Sequence, residues 1–239
     1  ARTSSVFGFM TMLKPELVIF DCDGVLVDSE WLASKIEAKL LNDAGLEITA
    51  EEIGERYSGL TWKEILLDVE KNSDIILSAS MIDRAEKLVD MALERELDMI
   101  EGADRAVKRI KLPKCIASNS SRARLGISLG KTGLEKLFDP HIFAAHEVGN
   151  NKGKPDPNVF LHAASVFSAR PENTIVIEDS VHGIKGAMAA GMRVIGFTGG
   201  SHTYPGHADR LTEAGAETVI NRHALLADVI EAMGSWRDI

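Results

Sequence analysis

Short, uninterrupted apolar runs recur along the chain, and they constrain the fold more than any other feature. They are Leu17-Val18-Ile19-Phe20, Cys115-Ile116-Ala117, His141-Ile142-Phe143-Ala144, Thr174-Ile175-Val176-Ile177, Val194-Ile195-Gly196-Phe197 and Thr218-Val219-Ile220. Strands covered on both faces read as continuous hydrophobic stretches, whereas half-exposed strands alternate. Helical patterns separate the later runs, at Ala103 to Lys111, Arg122 to Thr132, Asn158 to Phe167, Val181 to Ala190 and His207 to Ala214. Strand and helix in alternation predict an α/β fold with a doubly wound parallel sheet.

The interval after the first run breaks this rhythm. From Asp28 to about Met99 the sequence reads only as helix, with Ser/Thr-x-x-Glu capping boxes at Thr49-Ala50-Glu51-Glu52 and Thr61-Trp62-Lys63-Glu64. The stretch from Asp74 to Ile100 spaces Ile82, Ala85, Leu88, Val89, Ala92 and Leu93 as one helix face. A crossover needs one helix, and about 70 residues exceed it. An inserted helical domain over 28–100 is expected, with the core formed by 13–27 and 101–239. Residues 1–12 read as a leader or an expression remnant; the apolar run Val6 to Leu13 lacks a signal-cleavage site.

Composition narrows the function classes. The chain has 239 residues, with 27 basic against 36 acidic side chains and a formal charge of -9, which argues against general affinity for nucleic acid or anionic membranes. No run approaches the roughly 18 apolar residues that span a bilayer. Two distant cysteines, Cys22 and Cys115, fit a reduced, cytoplasmic setting.

The polar residues at the carboxyl ends of the runs carry the chemistry, because ligands of open α/β sheets bind at that edge. The first run delivers Asp21 and Asp23, two residues apart and so on one side of an extended chain, followed by Gly24. The second delivers Ser118-Asn119-Ser120, the third a loop with Lys152 and Lys154, and the fourth Glu178-Asp179. Carboxylates are hard oxygen ligands suited to magnesium, while hydroxyl, amide and ammonium groups suit phosphoryl oxygens. The pair then divides the labour: Asp21, nearest the rigid strand, as nucleophile, and Asp23 as acid/base. Plainer readings stand beside these. Asp-x-Asp-Gly is also a turn sequence, and Ser118-Asn119 and Glu178-Asp179 could be helix caps. Lys152, His146, His182 and a buried Cys22 read as structural or surface residues. Trp62 reads equally as helical-domain core and as substrate contact.

Asp21-Cys22-Asp23-Gly24-Val25-Leu26-Val27-Asp28-Ser29-Glu30 resembles the first motif of the haloacid dehalogenase-like hydrolase superfamily, in its β-phosphoglucomutase and phosphatase branch. Ser118-Asn119-Ser120, Lys154-Pro155-Asp156-Pro157 and Glu178-Asp179-Ser180 resemble the second, third and fourth motifs, in order. The resemblance implies a Rossmann-like core, a helical cap and magnesium. It places the nucleophile on Asp21 and the acid/base on Asp23, which also offers its backbone carbonyl to the metal. Metal ligation falls on Asp21, Asp23, Glu178 and Asp179, and substrate phosphate on Gly24, Ser118, Asn119 and Lys154. Dehalogenases lack the second aspartate, so Asp23 points to phosphoryl chemistry.

Two departures bear on activity. Where the mutases resemble Gly-x-Ser-Arg in the cap, this chain has Gly59-Leu60-Thr61-Trp62, with no arginine to grip a second phosphate. Glu101-Gly102 stands where relatives often have Pro-Gly, which bears on hinge stiffness. The expectation is a phosphatase of small phosphorylated metabolites, working as a monomer or weak homodimer. A sugar phosphomutase is the alternative, and a phospho-accepting module without turnover is a third reading.

Overall fold

The computed structural model describes residues 14–58 and 60–235, so the leader reading and Gly59 lie outside the described residues. Its centre is a parallel sheet of β1 (Leu17–Phe20), β2 (Lys114–Ser118), β3 (Ile142–Ala144), β4 (Thr174–Glu178), β5 (Arg193–Phe197) and β6 (Thr218–Ile220). Its strand order is β3-β2-β1-β4-β5-β6, and every neighbouring pair is parallel. Ile19 of β1 stands opposite Cys115 on one side and Val176 on the other. The order reverses between β1 and β4, so the crevice of a doubly wound sheet opens above those two strands.

β1 shows why the runs are continuous. Val18 and Phe20 enter one apolar cluster and Leu17 and Ile19 the other, on the opposite face, and all four are fully buried. Full burial of such side chains stabilises by about 1.5–3 kcal/mol each, which leaves no place for a polar residue within the run. One face is covered by α5 (Ala103–Arg109), α6 (Arg122–Thr132) and a C-terminal α10 (Leu226–Ser235), which contributes Leu226, Ile230 and Met233. α7 (Asn158–Val166), α8 (Val181–Ala189) and α9 (His207–Ala214) cover the other through Phe160, Ile184 and Leu211. The predicted strands and helices are present within a residue or two; α10 is an addition.

Between β1 and α5 lie α1 (Ser29–Asp43), α2 (Ala50–Tyr57), α3 (Trp62–Asn72) and α4 (Ser80–Glu96). Both expected capping boxes form, Thr49 with Glu52 and Thr61 with Glu64. The last helix is shorter than its pattern, starting at Ser80 rather than near Asp74. These helices enclose a separate apolar cluster around Leu41, Ile53, Ile65 and Val69. Leu32 of α1 and Val89 and Leu93 of α4 belong instead to the sheet's cluster, so those two helices are rooted in the main core. The entering and leaving chains pair with each other: Asp28 N–H donates to Asp98 at 3.1 Å, and Ile100 N–H to Leu26 at 2.9 Å.

Trp62 lies in the helical cluster. Its side chain is buried and its indole N–H donates to the Met81 carbonyl at 3.0 Å.

Candidate active site

The reversal of strand order brings Asp21, just past β1, beside Glu178 and Asp179 at the end of β4. Carboxylate oxygens of these three buried residues lie within 4.8 Å of one another and could hold a metal ion. The donor set is oxygen alone, which fits magnesium better than metals that favour nitrogen or sulfur.

Lys154 enters from the loop after β3 and is itself buried. Its Nζ donates to Asp21 Oδ1 at 2.9 Å, to Glu178 Oε1 at 2.6 Å and to the Ala117 carbonyl at 2.8 Å. All three ammonium protons are thereby used. The other Glu178 oxygen accepts from Ser180 N–H at 3.2 Å and from its hydroxyl at 3.1 Å. Gly183 is required beneath this arrangement, since a Cβ there would collide with the Glu178 carboxylate.

Burial raises Asp21 well above the usual carboxylate range, with Glu178 adding to the rise and Lys154 opposing it. Asp179 is raised for the same first reason and by the same neighbour. For Lys154 burial acts downward, but the Asp21 and Glu178 charges outweigh it and hold the ammonium above its ordinary value. Nearby acids in a low-dielectric pocket favour a proton or a cation between them.

Asp23 faces a different environment. Its Oδ1 accepts from Ser29 Oγ at 2.6 Å, and its Oδ2 from Ser120 Oγ at 2.7 Å and Ser118 Oγ at 3.3 Å. Gly24 follows with φ of +77°, and a Cβ there would strike Asp179 Oδ2. The tight turn and the close approach both need glycine.

The remaining expected residues divide. Ser118 is buried and turned to Asp23. Asn119 brackets the Lys154 peptide, accepting its N–H at 2.8 Å, so its side chain sets the lysine loop. Lys152 is exposed, and Cys22 and Cys115 are buried thiols. The helix caps are Ser121 for α6 and Ser180 for α8, not Ser118, Asn119, Glu178 or Asp179.

Ser29, Ser120 and His202 were not singled out from sequence. Ser29 and Ser120 lie inside motifs that named their neighbours. His202 lies in the loop after β5, and only its long-range approach to Asp179 marks it, with Nε2 2.7 Å from Oδ2. His207 holds the same residue by its backbone, donating from Nε2 to the Asp179 carbonyl at 2.7 Å.

Known proteins resemble this chain in sequence and in fold. The chain is 33% identical over 197 residues to the 6-phosphogluconate phosphatase of Escherichia coli K12, covering 81% of this chain and 87% of that one. A solved haloacid dehalogenase-like protein of unknown function from Agrobacterium tumefaciens is 57% identical, with a TM-score of 0.88 over 92% of this chain and 99% of that one. A Deinococcus radiodurans HAD family hydrolase, solved with bound phosphate and sodium, is 32% identical, with a TM-score of 0.79 over 93% of this chain and 97% of that one. The sequence pattern of the haloacid dehalogenase-like hydrolases matches residues 18–197, and the chain belongs to that family.

Proposed function

We propose that this chain is a magnesium-dependent phosphatase that hydrolyses a small phosphomonoester through an aspartyl-phosphate on Asp21. The observation that carries the reading is the unlike surroundings of two carboxylates two residues apart. Asp21 is held by Lys154 among other acids, whereas Asp23 is turned to three hydroxyls. Paired acids in different environments take different roles.

In this reading Asp21 attacks phosphorus, and Asp23 protonates the departing oxygen. Asp23 then takes a proton from the water that releases phosphate from Asp21. Lys154 keeps Asp21 oriented and offsets charge on the phosphoryl oxygens. Asp21, Glu178 and Asp179 would hold magnesium, with Asp23 contributing its backbone carbonyl; when bound, the ion neutralises developing negative charge. Ser118, whose hydroxyl sits beside Asp23, and the backbone at Gly24 would face the phosphate. Helices α1 to α4, over 28–100, would act as a cap that shields the site from water.

The relatives support a substrate class. The E. coli relative is named for 6-phosphogluconate, so phosphorylated sugars and sugar acids are the first candidates. Trp62 supports hydrolysis over the mutase alternative, because it is packed among the helices and supplies no cation for a second phosphate.

Phosphate release should be measured across a panel of phosphorylated sugars and sugar acids, with and without magnesium. Release that requires magnesium and vanishes in Asp21→Asn is expected. Robust turnover in Asp21→Asn would overturn the mechanism, and interconversion of phosphate positions without hydrolysis would favour the mutase.

A further inference from the structure

We infer that His202 is a positioning residue for the metal site, holding the Asp179 carboxylate so that its other oxygen faces the cation. This inference rests on the magnesium reading above. Its basis is a short approach within a pocket shaped for it. The imidazole is buried, and its Nε2 stands 2.7 Å from Asp179 Oδ2. Among the described residues neither ring nitrogen has another polar partner, so the Asp179 carboxylate is the close polar neighbour that the imidazole faces. Among the described residues, no other Lys, Arg or His nitrogen comes within ion-pair distance of that carboxylate.

Two glycines make room for the ring. A Cβ on Gly200 would sit 2.6 Å from His202 Nδ1, and one on Gly24 would sit 2.8 Å from its Cε1. The adjacent Ser201 is pinned to the start of the helical segment: its N–H donates to Asp28 Oδ1 at 2.8 Å and its hydroxyl to Asp28 Oδ2. From the same loop, Thr203 Oγ hydrogen-bonds His207 Nδ1 at 3.0 Å while His207 Nε2 binds the Asp179 carbonyl. The loop after β5 and the first residue of α9 therefore hold Asp179 at its side chain and its backbone in turn. A buried carboxylate without a partner is free to turn, and a ligand turned away weakens a cation site.

The test compares His202→Phe, which keeps ring volume but drops the N–H, with His202→Gln, which keeps an N–H. Magnesium binding is read by calorimetry without substrate, and manganese binding by loss of the free-ion paramagnetic signal. Loss of an outer partner of a metal ligand typically weakens binding by about 10- to 100-fold. His202→Phe should fall in that range, with His202→Gln within about threefold of wild type and KM for the phosphomonoester largely unchanged. If His202→Phe binds both ions as tightly as wild type, the inference is wrong, even if its melting temperature drops. If the wild-type protein binds neither ion, the magnesium reading and this inference fall together.

Discussion

The Lys154 ammonium and the Glu178 carboxylate form the shortest ion pair within the buried site, 2.6 Å apart and both out of water. The pair explains how a cation is kept at the sheet edge: one carboxylate oxygen grips the lysine while the other is tied to Ser180. Removing one partner of a buried pair typically costs about 3–5 kcal/mol, because the other charge is stranded. Lys154→Met should therefore lose stability on that scale in urea denaturation at neutral pH. The double variant Lys154→Met, Glu178→Gln should recover part of the loss, while both remain inactive. A change below about 1 kcal/mol in the single variant would mean the pair is not the anchor described.

Ser120 reaches Asp23 at 2.7 Å, a shorter contact than that of Ser118 at 3.3 Å. A hydrogen bond contributes about 0.5–1.5 kcal/mol net. On the role proposed for Asp23, Ser120→Ala should lower kcat by about 2- to 10-fold with KM little changed. Steady-state kinetics with saturating magnesium decides it; an unchanged kcat would assign the orientation to Ser29 and Ser118.

Which parts were legible in the sequence depended on whether the cause was local. The strands were readable because burial on both faces demands uninterrupted apolar runs, as at Leu17–Phe20. The capping boxes at Thr49 and Thr61 were readable because donor and acceptor lie three residues apart. The family resemblance puts Asn119 against phosphate, but its partner is the Lys154 peptide 35 positions away, which no spacing rule reports. His202 meets Asp179 only because β5 lies next to β4. Helix α10 follows the last strand, where no further crossover demands a helix.

Trp62 should behave as core. Its burial in the helical cluster and its bond to Met81 predict that Trp62→Ala costs about 3–5 kcal/mol, the usual range for truncating a large buried aromatic. Assayed well below its melting temperature, the variant should keep KM for the phosphomonoester within about threefold of wild type. A large KM increase with unchanged melting would instead make Trp62 a substrate contact.

Glu37 gives a pH dependence whose sign can be worked out. Burial pushes its carboxyl from an ordinary 4.5 up to about 7, against the opposing charge of Arg124. The folded chain thus keeps a proton there that the unfolded chain has released. Its contribution is fully present below 4.5 and is lost as pH rises through about 7. Glu37→Gln removes the titration, so its stability relative to wild type should be nearly unchanged at pH 4 and higher by on the order of 3 kcal/mol at pH 8. Urea denaturation of both proteins at the two pH values measures this. An equal difference at both pH values would show that Glu37 ionises in the folded protein as it does in the unfolded one.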